Sequence, residues 1–266
     1  MRPLEHFVTL LTALAAGGYL AGAAALLRRR AVAGLALLSA AWAANLSVIV
    51  LNWLASGHPP FGSMVHVLAI LALCFLPLYL VLRARERLDW LHVYFAVASA
   101  LPLVGTLFME RETLWRRAPA LQSAWFTPHV TAYMVSYALA AVAFALLAVQ
   151  SVRAWRGRGD SGRDYDRAAY HTLLLSYPFM TFGLLSGALW AEDAWGAYWS
   201  WDPKEVWSLI TWTLYAIYFH TRGRRSLQRF APWAHALAFA ALLTTFLLVN
   251  LLPKLSSALH SYAMSP

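Results

Sequence analysis

Long apolar runs separated by short polar breaks fill most of the chain. In a helix, roughly 20 apolar residues cross a bilayer core about 30 Å thick, and eight runs approach that length. They cover residues 6–27, 31–54, 63–82, 89–108, 128–151, 169–191, 204–221 and 231–252. The pattern predicts an all-α fold, namely a polytopic transmembrane bundle of about eight helices.

The polar breaks are short, so we expect a single membrane domain over residues 1–266. No long linker, low-complexity tract or repeat interrupts the apolar runs. The first run has Glu5 and His6 where a secretory signal peptide carries basic residues, and it ends at Arg28–Arg30. It is therefore predicted to be a retained helix and not a cleaved signal.

Composition and charge agree with insertion into a membrane. The chain is 61% hydrophobic and 12% charged, with a mean hydropathy of +0.55. Its formal net charge of +9 does not indicate nucleic-acid binding, because the basic residues lie in short clusters between apolar runs, as the positive-inside rule describes. With the N-terminus outside, fifteen Lys and Arg residues fall in inner loops and six in outer segments. Both termini are thus predicted on the outer, periplasmic side.

The chain has one cysteine, Cys74, which lies inside an apolar run. A single thiol forms no internal disulfide and makes no Cys-x-x-Cys pair. Any thiol redox chemistry connected with this protein must therefore come from partners.

Tryptophan is concentrated in one stretch, "WGAYWSWDPKEVWSLITW" at residues 195–212, which contains five indoles. One interpretation is an aromatic belt at the membrane surface, with Asp202, Pro203 and Glu205 starting the seventh helix as N-cap, first residue and capping-box partner. The other is a surface for a large, flat, apolar ligand. The second is favoured by number, because a belt needs only one or two rings per helix end. The polar break between the sixth and seventh runs, residues 192–203, lies outside by the charge pattern. We call these residues the tryptophan loop.

Two histidines are predicted on the same side as the tryptophan loop. His129 begins the fifth run after Thr127-Pro128, and His260 lies just beyond the eighth. Two imidazoles that converge over an aromatic surface can ligate the iron of a porphyrin. The alternative for each is a polar anchor at the interface. His220 is at the inner end of the seventh run, where it is either functional or an interfacial cation of "HTRGRR".

These segments closely resemble the CcsA/ResC family of cytochrome c biogenesis proteins. The Trp-rich WWD motif at 195–212, with "YPFMTFGLLSGALWA" at 177–191 and "YAIYFHTR" at 215–222, is similar to the haem-handling motif of that family. "TPHVTAYMVSYA" at 127–138 and "VNLLPKLSSALHSY" at 249–262 resemble its two flanking histidine segments. The resemblance identifies residues 127–262 as the haem-handling core, and the first half is similar mainly in hydropathy.

The resemblance implies the CcsA subunit of a system II cytochrome c synthase, which transports haem b and takes part in its covalent attachment to apocytochrome c. The implied partners are a CcsB/ResB-type membrane protein, an apocytochrome with a Cys-x-x-Cys-His segment and, indirectly, a thioredoxin-like thiol reductant. His129 and His260 would be the outer axial ligands of the haem iron, and His220 would pair with a partner histidine where haem enters. The remaining implied haem-binding residues belong to the tryptophan loop: Trp195, Trp199, Trp201 and Asp202.

Two other classes of protein stay open from sequence. One is a CcmC-like haem exporter or chaperone without attachment activity, and eight runs in place of six, with the "WDPKE" form, favour the synthase. The other is a membrane assembly or transport protein whose tryptophans only form a belt. Arginine outnumbers lysine 19 to 2, which favours a bacterial cytoplasmic membrane over an organelle.

Overall fold

The computed structural model describes residues 2–109, 119–157 and 164–248, and within these ranges all regular structure is helical. The predicted all-α fold with eight main helices is confirmed. The helices are α1 Arg2–Leu27, α2 Ala31–Ser56, α3 Met64–Glu86, α4 His92–Thr106, α5 Phe126–Trp155, α6 Tyr165–Trp195, α7 Pro203–Gly223 and α8 Ala231–Leu243. A π-helical turn, Thr244–Leu248, continues α8.

Local chemistry sets several helix ends. The Asp164 side chain accepts a hydrogen bond from the backbone N–H of Arg167 at 2.8 Å and caps the start of α6. Gly57 and Gly196, with φ of 74° and 77°, end α2 and α6 in the left-handed conformation that glycine adopts without a Cβ clash. A polar N-cap stabilises a helix by about 1 kcal/mol, so such residues fix where helices begin and loops start.

Among the described residues, six helices are long and apolar enough to cross a membrane, and the chain is a multi-helix membrane protein. The two main helices outside this set are α4 and α7. α4 has 15 residues, fewer than the roughly 20 that span a bilayer core. α7 carries Lys204 and Glu205 in its first turn and Arg222 in its last. Which ends face outward stays the prediction made from the basic residues.

The chain divides into two compact units, residues 1–118 and 119–266. In the first unit, α1 packs closely on α2: a Cβ at Gly22 would lie 2.8 Å from a methyl carbon of Leu38. Asn45 is fully buried on α2, and its Nδ2 donates to the carbonyl of Ala69 on α3 at 2.9 Å. Small residues and a buried interhelical hydrogen bond therefore hold these helices together, as is common in membrane bundles.

The second unit contains α5 to α8 and the described part of the predicted haem-handling core. On the facing sides of α5 and α6, the Ser176 hydroxyl donates to the Ser136 carbonyl at 2.9 Å. On α7, the indole N–H of Trp212 donates to the Thr181 hydroxyl of α6 at 3.0 Å. These contacts fix α6 against both neighbours. The tryptophan loop leads from α6 into α7, and its first four residues, 192–195, form the last turn of α6.

Candidate functional site

His129 lies in the first turn of α5 and is half-buried against α6. Its Nδ1 is 2.8 Å from the carbonyl oxygen of Gly183. A carbonyl only accepts, so the hydrogen of this bond belongs to Nδ1, and the neutral imidazole carries its lone pair on Nε2. Metal-binding histidines have this arrangement, because a backbone acceptor on one ring nitrogen fixes the tautomer and the ring orientation for the other.

Trp190 of α6 is the main aromatic neighbour of His129. The two rings stack with centroids 5.4 Å apart and an interplanar angle of 26°. Trp190 is 4% exposed, and its indole N–H donates to the carbonyl of Ala120 at 2.7 Å. Trp195 also approaches Trp190, edge-to-face with centroids 5.1 Å apart. Aromatic contact thus runs from His129 through Trp190 to the first tryptophan of the loop.

The loop turns two aromatic rings outward, Tyr198 and, with the greater exposure, Trp201. Trp201 is 73% exposed and has φ of 60°, a left-handed conformation that costs a non-glycine residue about 1–3 kcal/mol. Trp199 lies edge-to-face with it at 5.9 Å, and the Trp199 indole N–H is buried with no acceptor among the described residues. The loop therefore holds an exposed indole in a strained backbone, and beside it an indole N–H that finds no acceptor in the described part of the chain.

The predicted capping box at the start of α7 is confirmed. The Asp202 carboxylate accepts from the backbone N–H of Lys204 at 2.8 Å. In return the Glu205 carboxylate accepts from the backbone N–H of Asp202 at 3.1 Å and of Ser200 at 2.8 Å. Asp202 is 8% exposed. Its carboxylate thus shapes the loop from within, and the strain at Trp201 is held by bonds on both sides of it.

The other predicted histidines lie elsewhere. His220 is near the far end of α7, on the face that also exposes Ile210, Thr213 and Ile217. Its imidazole makes no hydrogen bond with the described residues. The opposite face of α7 buries Tyr215 and Tyr218. His260 falls outside the described residues. Of the predicted site, the structure therefore links His129 to the tryptophan loop, whereas His220 lies near the opposite end of α7.

Sequence reasoning missed the residues that support His129. Gly183 and Gly187 of α6 pack against the rings of Tyr133 and His129, respectively. Trp190 lies before the Trp-rich stretch 195–212 and is not among the predicted haem-binding residues. Trp212 lies within that stretch, yet it stacks on Tyr177 at 5.6 Å in the contact between α6 and α7. The four-residue spacing of the two glycines on α6 is the signal that could have indicated a helix-facing groove.

Together, the fold and the site define a multi-helix membrane protein in which a histidine of metal-ligand geometry is tied to a loop of exposed tryptophan. Comparison of the sequence with known protein families assigns the chain to one of them. The chain matches the family described as Cytochrome C assembly protein over residues 31–256. It belongs to that family, and the match extends beyond the segments 127–262 into the first unit.

Several relatives share the name "Cytochrome c biogenesis protein CcsA". The relative from Chlamydomonas reinhardtii is 34% identical over 229 residues, covering 81% of this chain and 64% of the relative. The relative from Mesostigma viride is 32% identical over 249 residues, covering 81% of each protein. The relative from Parasynechococcus marenigrum strain WH8102 is 34% identical over 256 residues, again covering 81% of each. The resemblance to the CcsA family is therefore confirmed.

Proposed function

We propose that this chain is the haem-presenting subunit of a two-component cytochrome c synthase in a bacterial cytoplasmic membrane. As a family member it acts in cytochrome c biogenesis. The observation that carries the proposal is the pair of contacts at His129, a hydrogen bond to the Gly183 carbonyl and a stack on Trp190. They orient an imidazole beside a loop of tryptophans, which is what presentation of haem requires.

The described residues fit haem b as cargo. His129 supplies one axial ligand through Nε2, and His260 supplies the second in the proposal. The exposed ring of Trp201 offers a flat apolar surface for the porphyrin. The buried N–H of Trp199 is a donor that a propionate carboxylate would satisfy. Trp195 joins these residues to the histidine through Trp190, and Asp202 holds the loop in shape.

Haem entry is assigned to His220 and a membrane partner of the CcsB/ResB type. His220 lies on the exposed face of α7, and its imidazole makes no hydrogen bond with the described residues, so a ligand or histidine from another chain can approach its ring. An ionisable side chain in a membrane-embedded segment is by default a candidate for function, with a partner to be named. The partner would supply the second iron ligand at this inner position.

Attachment itself is an addition of thiols to alkenes. Each of the two thiols of the incoming Cys-x-x-Cys-His segment adds across one haem vinyl group: sulfur bonds to one carbon and hydrogen to the other. No net oxidant is consumed, but both thiols must arrive reduced, and this chain has only Cys74. A thioredoxin-like reductant therefore acts indirectly. The contribution of this chain is positioning, because it holds the iron and the porphyrin while the vinyl groups face the incoming Cys-x-x-Cys-His segment.

Reconstitution tests the proposal. The chain, purified with its CcsB/ResB-type partner, is expected to show a bis-histidine haem spectrum and to attach haem covalently to a reduced apocytochrome c. The measurement is haem-stained denaturing electrophoresis of the cytochrome, with an apocytochrome in which both cysteines are changed to serine as the control. A haem spectrum without attachment would support the exporter class instead. A complex that carries no haem would support a tryptophan belt.

The proposal also requires the tryptophan loop to face outward. In a Cys74→Ala background, Ala197→Cys is expected to react with an impermeant maleimide added to intact cells, as the excess of basic residues in the opposite loops indicates. Ser226→Cys is the matched control, because residue 226 is exposed beyond the other end of the 21-residue α7. It should react only after the membrane is opened. The reverse pattern would overturn the orientation.

A further inference from the structure

The His129 ring fits against α6 only because residue 187 has no side chain. A Cβ atom built at Gly187 would lie 2.6 Å from Cε1 and 2.7 Å from Nδ1 of the His129 ring. Contacts that short do not occur between real side chains, and the ring is a rigid body with nowhere to bend. Gly187 is therefore the residue that lets the imidazole lie against the α6 backbone.

One turn earlier on the same helix, Gly183 provides the acceptor. Its carbonyl oxygen is 2.8 Å from His129 Nδ1, and this approach is possible only when the ring occupies the space above Gly187. A Cβ at Gly183 would itself meet the ring of Tyr133 at 3.1 Å, and Tyr133 stands edge-on to His129 at 5.1 Å. The two glycines thus shape one continuous surface for the two rings of α5.

Trp190 makes the third contact with the His129 ring, after Gly187 and the Gly183 carbonyl. It stacks on the imidazole and is fixed by its bond to the Ala120 carbonyl, so the stack is set by a buried residue with a partner of its own. The imidazole is then bounded by a backbone without a side chain, by a carbonyl acceptor and by a fixed indole face. Free rotation of His129 about its side-chain bonds would break all three contacts.

We propose that Gly187, the Gly183 carbonyl and Trp190 form a positioning device that sets the tautomer and orientation of His129 before haem arrives. This rests on the proposed function, in which His129 ligates the haem iron. The hydrogen bond from Nδ1–H to the carbonyl makes the Nε2 lone pair a stronger electron donor to iron. Stronger electron donation stabilises ferric over ferrous iron. The device therefore raises the affinity for haem and lowers the reduction potential of the bound iron.

Gly187→Ala tests the device in the complex with the partner. Displacement of the His129 ring should lower haem content by about tenfold or more, the scale of supporting-residue changes at metal sites. The haem that remains should show an altered spin state and a higher reduction potential. Gly17→Ala is the matched control, because a Cβ at that helical position meets nothing within 4 Å. Unchanged haem content and spectrum in Gly187→Ala would overturn the inference.

A double variant separates positioning from folding. In His129→Gly the ring is gone, and added imidazole, which is not tethered to α5, can shift away from a new Cβ. Gly187→Ala should therefore change the imidazole-restored haem content of His129→Gly by less than about twofold. A loss as large as in the single variant, including loss through misfolding, would overturn the inference. If His129→Gly itself keeps a wild-type spectrum, the proposed ligand role fails, a result distinct from a failure of Gly187 alone.

Discussion

His129→Gly is expected to abolish covalent haem attachment, and free imidazole is expected to restore part of it. Loss of the ring opens one coordination position on iron but leaves Trp190 and the tryptophan loop intact, because their bonds to Ala120 and within residues 200–205 do not involve His129. Attachment should fall by more than about 100-fold, beyond the range for residues that only support a ligand. Imidazole fits the space vacated and binds by mass action.

The measurement is the haem absorption spectrum together with attachment activity, each with and without imidazole. His92→Gly is the matched control. His92 also begins a helix, its Nδ1 also lies near a backbone carbonyl, that of Asp89 at 2.5 Å, and its ring also meets an aromatic one, Tyr79. It should keep the wild-type spectrum. The same experiment applies to His260. Normal spectrum and activity in both His129→Gly and His260→Gly would return the tryptophans to the role of a membrane belt.

His220→Gly is expected to reduce the haem content of the whole complex by at least about tenfold, the scale of changes around a metal site. We expect this loss because His220 lies on the exposed face of α7, near the end of the helix that is farther from the tryptophan loop. Haem that cannot be bound on entry cannot reach His129, although the outer site is intact. Haem quantified per complex after purification with the partner gives the result.

Two comparisons make the His220 experiment specific. Ile217→Ala changes the same exposed face, where Ile217 is 43% exposed, without removing a ligand, and it should leave haem content near wild type. Labelling of Ala197→Cys should be unchanged in His220→Gly, since the outer topology does not depend on this ring. Wild-type haem content in His220→Gly, or an equal loss in Ile217→Ala, would contradict a ligand role.

Most of the fold could be predicted because it depends on local sequence. An apolar run of bilayer length has few alternatives to a helix, and the polar breaks carry their own caps, as Asp164 and Gly57 do. The capping box of Asp202 and Glu205 could be predicted for the same reason, since both bonds close within four residues. α4 and α7 were harder, because a run that is somewhat short or has charged ends does not by itself say whether the helix spans the membrane.

The support of His129 could not be predicted, because it depends on how two helices are aligned. Gly183 and Gly187 meet the imidazole 54 and 58 positions away in the chain, and only the register of α5 on α6 brings them together. The same register decides that Trp190 stacks on the histidine while Trp212 joins α6 to α7. Side-chain type alone indicated a ligand and an aromatic surface, but gave no sign of which tryptophan would touch which histidine.

The carboxylate of Glu205 stabilises the end of the tryptophan loop through local hydrogen bonds alone. All of its bonds to the loop, to the Ser200 and Asp202 backbones and to the Ser200 hydroxyl, close within residues 200–205. The hydrogen bonds that hold the Trp201 backbone therefore travel with a six-residue segment, which can be grafted onto the first turn of an unrelated helix to test whether it still holds the indole outward. A designer who wants an aromatic plate at a bilayer surface would then need to copy six letters, "SWDPKE", and not a protein.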